Sequence, residues 1–87
     1  NVMLADRLDI FSRRPRTRIE AGSTYLRRAA DQTVETAEVH SVAKDEMGID
    51  HVRFHIKIAR GHTKFVDEER ILSLASFAER FRERAQA

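Results

Sequence analysis

Three groups of residues in this chain have side chains able to do chemistry: a histidine pair, clustered carboxylates and a run of arginines. His51 and His55 form an H-x-x-x-H spacing. On a helix that spacing puts two imidazoles on one face as metal ligands. On a strand, at roughly 3.3 Å per residue, the same two residues stand about 13 Å apart and cannot share an ion. His51 is followed by Val52, not by the glutamate that a zinc metalloprotease needs. The carboxylates gather as Asp45-Glu46 and Asp67-Glu68-Glu69, in segments that read as solvated turns. Without cysteine, with only three glycines and with no Gly-x-Ser-x-Gly elbow, the chain has neither an evident nucleophile nor a phosphate-cradling loop. The expectation is a protein that is not an enzyme and that holds no metal or cofactor.

The arginines are the stronger signal. Arg13, Arg14, Arg16 and Arg18 surround Pro15, and such a run can neutralise phosphates of nucleic acid or of anionic lipid. As a structural feature it is a solvated linker. The net charge of +2 conceals an acidic middle between two basic ends. Stacking of single-stranded bases needs exposed aromatic rings beside the cations. Of six aromatics, Phe11, Phe54, Phe77 and Phe81 fall on predicted core faces, which leaves Tyr25 and Phe65 for the surface. Aromatic cages for methyl-lysine and aromatic grooves for polyproline need more rings than this.

Which elements position these groups follows from periodicity. The segment Ile49 to Arg60 alternates strictly, with Val52, Phe54, Ile56 and Ile58 on one side and Arg53, His55 and Lys57 on the other. Period-two alternation of β-branched and aromatic residues is a half-buried strand. Thr33 to Ala43 is the strand before it, with Ala37 and Val39 on one face and Val34 and Val42 on the other, a phase change that implies a bulge or a strong bend. Setting Val39 against Phe54 and Ala37 against Ile56 makes the apolar faces coincide. That register also opposes Glu38 to His55 and His40 to Arg53, and predicts a raised His55 pKa from the Glu38 carboxylate.

The remaining elements are shorter. Residues 2 to 11 form an amphipathic helix, with Leu4, Leu8 and Phe11 on one stripe, that must pack on its own chain, on a second copy or on a membrane surface. Pro15 stops it. Thr24 to Arg28 is a first strand, Lys64 to Val66 a short fourth, Asp67 to Glu69 a turn and Arg70 to Leu74 a fifth. Ser76-Phe77-Ala78-Glu79 has capping-box spacing, which predicts a closing helix to about Ala85.

This order predicts an α+β fold, a small five-stranded antiparallel SH3-like, partly open barrel flanked by an N-terminal and a C-terminal helix. Residues 1–18 are the helix and arginine-rich linker, and residues 19–87 the barrel with its helix. Gly22, Tyr25, the strands around Val39 and Phe54, and Leu74 with Phe77 resemble the pattern of small uncharacterised bacterial domains with an SH3-like barrel. The likeness covers residues 22 to 81. Barrels of this type bind peptides, modified side chains or RNA, and fold analogy does not choose among them. The segment Ile58 to Val66 is similar to the second motif of Sm-like RNA-binding barrels, but the first motif is missing, so Arg60-Gly61 reads as a hairpin turn.

Apolar runs of two or three residues exclude a spanning helix, and the acids in the first ten residues are unlike a signal peptide. Absent cysteine fits a reducing cytoplasm. The functional expectation is an interaction or structural module of the cytoplasm that self-associates or binds a protein partner, with Leu4, Leu8 and Phe11 as partner contacts. The alternative is weak nucleic-acid binding through Arg13, Arg14, Arg16, Arg18 and the outer basic residues.

Overall fold

A computed structural model describes residues 18–85 of the chain. The elements are β1 (Thr24–Arg28), β2 (Val34–Lys44), β3 (Asp50–Arg60), β4 (Thr63–Ser73), α1 (Leu74–Arg80) and β5 (Glu83–Arg84). All pairings are antiparallel and the strand order is β4-β3-β2-β1-β5. The helix predicted over residues 2 to 11, with Leu4, Leu8 and Phe11, lies outside the described residues, as do Arg13, Arg14 and Arg16. No helix among the described residues is long and apolar enough to cross a membrane.

The central hairpin is formed by β2 and β3. In β2 and β3, Val39 opposes Phe54, Ala37 opposes Ile56 and Glu38 opposes His55. The register then shifts between Val39 and Ser41, so that Ser41, not His40, faces Arg53 and Val42 faces Val52. His40 is the extra residue of a bulge, and the bulge returns Val42 to the core side, where it packs on the cluster. The connecting loop is fixed by Asp45, whose Oδ1 accepts the amides of Met47 (2.8 Å) and Ile49 (2.9 Å). Gly48, at φ +80°, takes the left-handed conformation that the turn requires.

A partly open barrel between two helices is not what forms. The sheet is open, and among the described residues a single short helix accompanies it. The main cause lies in residues 63–73. Asp67-Glu68-Glu69 is not a turn: the three acids continue one strand of 11 residues, with Asp67 opposite Lys57, Glu68 opposite Ile56 and Glu69 opposite His55. The His55 imidazole meets both outward acids and Lys64 also holds Asp67, and no residue here takes a positive φ. With β4 unbroken there is no corner at which the sheet folds back, and β4 and β5 end at opposite edges.

The helix also differs from expectation at both ends. Its N-cap is Ser73, whose Oγ accepts the Ser76 amide at 3.1 Å, three residues ahead of the cap expected at Ser76. It stops at Arg80 rather than Ala85, because Phe81 turns into the core and the next residues pair with β1. The Ala85 amide donates to the Thr24 carbonyl at 2.9 Å.

The core lies between α1 and one face of the sheet. Tyr25, Ala37, Val39, Val52, Phe54 and Ile56 supply the sheet side, and Phe77 and Phe81 come down on them. The rings meet edge to face, Phe54 to Phe77 at 4.9 Å and Tyr25 to Phe77 at 5.7 Å between centroids, the arrangement that aromatic quadrupoles favour. Tyr25, expected at the surface, is fully buried. Its hydroxyl donates to the Arg18 carbonyl at 2.6 Å and accepts the Glu20 amide at 2.9 Å, so the polar tip is satisfied.

Candidate functional site

The sheet face turned away from α1 carries the chain's main group of titratable side chains among the described residues. Alternation puts Glu38, Arg53, His55, Lys57, Asp67 and Glu69 there, and the bulge adds His40. His55 lies at the centre. Its Nδ1 is 2.5 Å from Glu69 Oε2, and its Nε2 contacts Asp67 Oδ1. His40 Nδ1 is 3.2 Å from the other oxygen of Glu69, and its Nε2 is 3.7 Å from Glu38. The two imidazoles lie 6.5 Å apart with planes 20° from parallel. Asp67 is also held by Lys64 Nζ at 3.2 Å.

An imidazole with a carboxylate at each nitrogen donates twice, which only the imidazolium can do. Hydrogen bonds from Asp67 first and Glu69 second raise the His55 pKa above its ordinary value. The same contact, followed by Lys64, lowers that of Asp67. His55 therefore stabilises the fold fully below its unfolded value of about 6.5, and that contribution is lost as pH rises through the folded value. Asp67 contributes above its unfolded value of about 3.9, and that contribution is lost as pH falls through its folded one. In an NMR titration the His55 midpoint is expected to exceed about 6.5. Asp67→Asn and Glu69→Gln should each lower it, and Glu38→Gln should leave it nearly unchanged. A shift with Glu38→Gln alone would place the partner on β2 instead.

The register was legible in advance, but the partner was not: Glu38 opposes His55 in the backbone pairing while its side chain turns to His40. His51 does not join the cluster. Its Nδ1 sits 3.0 Å from the Ile49 carbonyl and 3.5 Å from Asp45 Oδ2. Among the described residues no three His, Cys, Asp or Glu side chains are arranged to hold a metal ion. The cluster also has no enclosure, since every member is at least partly solvated. It links β2, β3 and β4 through polar side-chain contacts.

On the other face one acidic side chain is buried. Glu35 is 5% exposed, and its carboxylate accepts Arg27 Nη1 (2.8 Å), Arg80 Nε (3.1 Å) and Arg80 Nη2 (2.9 Å). It joins β1, β2 and the end of α1. Beside it an open cleft of about 640 Å³ is lined by Arg27, Leu72, Ala75, Ser76, Glu79 and Arg80. Neither Glu35 nor its arginines stood out in the sequence, and only the continuation of the Ala37, Val39 phase back to residue 35 signals an inward acid.

The cations proposed for nucleic acid are scattered. Arg18 is exposed at the start of the described residues and lends its carbonyl to Tyr25. Arg53 and Lys57 stand exposed on the outer face of β3. Phe65, 53% exposed, is the extra residue where β4 shifts register against β3, and the Arg60 guanidinium lies 5.7 Å from its ring centre. Among the described residues one edge of the sheet is open along β4, which pairs with β3 alone, and Ile71 on it is 54% exposed. No protein-family model, no curated protein and no solved structure matches this chain.

Proposed function

We propose that the chain is a non-enzymatic interaction module that associates with itself through the open edge of β4. The observation that carries this reading is an 11-residue strand that, among the described residues, has a ladder on one side only and bears Ile71 and Phe65 at its surface. Unpaired backbone amides and carbonyls along an edge are a template for another strand. The charges on β4, from Lys64 through Arg70, repel indiscriminate strand addition and admit a partner whose charges match. Leu4, Leu8 and Phe11, outside the described residues, are the sequence's further candidates for partner contacts.

Sedimentation velocity over a range of concentrations tests this. Reversible association is expected, weakened about tenfold in Ile71→Asp, because a carboxylate added beside Asp67 and Glu69 repels an incoming acidic strand. A chain that stays monomeric throughout would reject self-association. The competing reading, weak nucleic-acid binding through Arg13, Arg14, Arg16 and Arg18, is supported by Arg53 and Lys57, which have no ion-pair partner among the described residues. It predicts RNA or DNA binding whose affinity falls steeply with salt.

A further inference from the structure

We infer that the strand added to β4 is β4 of a second copy, antiparallel and centred on Glu69, so that two sheets join across a twofold axis. This rests on the edge-association reading and specifies its partner and register. The reason is the row of β4 side chains on the core side of the sheet. Val66, Glu68, Arg70 and Leu72 oppose Ile58, Ile56, Phe54 and Val52 of β3, so they share one face. The row reads apolar, acidic, basic, apolar.

Turned end for end, such a row is complementary to itself. With Glu69 at the centre, Glu68 of each copy meets Arg70 of the other, and Val66 of each meets Leu72 of the other. Residues directly opposite in an antiparallel pair lie on the same face, and opposite charges or apolar groups there are favourable. A twofold interface makes each pairing occur twice. Within one copy, Arg70 Nε already bonds Glu68 Oε2 at 2.8 Å, so two copies would bring two such pairs into one alternating network.

Other registers that keep the faces aligned are worse. Centring on Glu68 sets that acid against itself and Asp67 against Glu69 twice. Centring on Arg70 sets arginine against arginine and Glu68 against Leu72. On the outer face the chosen register sets Glu69 against Glu69 and, twice, Asp67 against Ile71, but it is the register that pairs both Glu68 with Arg70 and Val66 with Leu72 on the core side. Each Glu69 carboxylate is already held by His55 (2.5 Å) and His40 (3.2 Å). The pairing between β3 and β4 is regular from Val66 to Ser73, and the shift at Phe65 falls outside the segment. The paired stretch is therefore straight enough to match itself.

Charge reversal tests the register by sedimentation equilibrium. Glu68→Arg and Arg70→Glu each create two repulsive pairs, and each is expected to weaken association about tenfold or more. The double variant E68R/R70E restores opposite charges and should associate as the parent does. Mixing the two single variants should give a heterodimer tighter than either homodimer, a result that loss of folding cannot imitate. Both positions are exposed, and circular dichroism of each variant checks the fold. A monomeric parent overturns this inference together with self-association. Association that survives both single reversals, or a mixture no tighter than its components, overturns the register alone and moves the contact elsewhere on the chain.

Discussion

Phe54→Ala is expected to destabilise the fold by about 3 to 5 kcal/mol. Phe54 is 1% exposed at the middle of β3, and its ring meets Phe77 at 4.9 Å and Phe81 at 5.7 Å. Removing it opens a cavity under the helix at the point where both of its anchoring rings rest. The walls are a sheet on one side and a seven-residue helix on the other, so collapse into the space would have to pull α1 off its register with the sheet. A domain of this size has little to spare, since typical total stabilities are about 5 to 15 kcal/mol. The measurement is a urea denaturation midpoint. Phe65→Ala serves as the control, expected within about 0.5 kcal/mol because its ring is mostly solvated. Similar shifts for the two variants would mean that the core is not built around β3.

That Phe54 is central was legible in the chain because β3 alternates on both faces without interruption. Its partner strand was legible as far as Val39, and the change of phase between Val39 and Val42 pointed to a bulge or a bend, but the extra residue that takes His40 off Arg53 was not placed. β4 was not legible. Its core-side positions are Val66, Glu68, Arg70 and Leu72, half of them charged, since only Val66 and Leu72 pack against the core while Glu68 and Arg70 are exposed. A pattern reader sees two apolar fragments with three acids between them and inserts a turn. That error then closes the sheet into a barrel. The helix was misplaced for a related reason: Ser73 and Ser76 both offer a hydroxyl three residues before an amide, and the choice between them depends on where β4 ends.

The histidine cluster needed both missing facts. His40 comes near His55 only because the bulge adds a residue to β2, and Asp67 and Glu69 reach His55 only because β4 runs through them. Local spacing offered His51 as the partner of His55, and the strand keeps the two apart. Proximity across three strands is a tertiary fact with no local signature. The same holds for Glu35, whose inward position conflicts with the usual placing of acids on solvated faces.

Glu35 gives the other large effect. Replacing Arg27 and Arg80 together with Ala is expected to cost about 3 to 5 kcal/mol, because it leaves a carboxylate buried without compensation. Either replacement alone should cost less than half of this, since the remaining guanidinium still bonds the carboxylate, and the two effects should be strongly non-additive. Truncating the acid is milder. The arginine side chains are 42% and 47% exposed against 7% for Glu35, so they recover hydration when their partner goes. It follows that adding Glu35→Ala to the double arginine variant should restore stability: the triple variant loses the interactions but no longer holds a buried charge. Thermal or urea unfolding of the parent, the two single arginine variants, the double variant, Glu35→Ala and the triple variant at neutral pH decides the matter. A triple variant no more stable than the double one would mean that the arginines act through packing of their stems against the helix and sheet, not through the carboxylate they enclose.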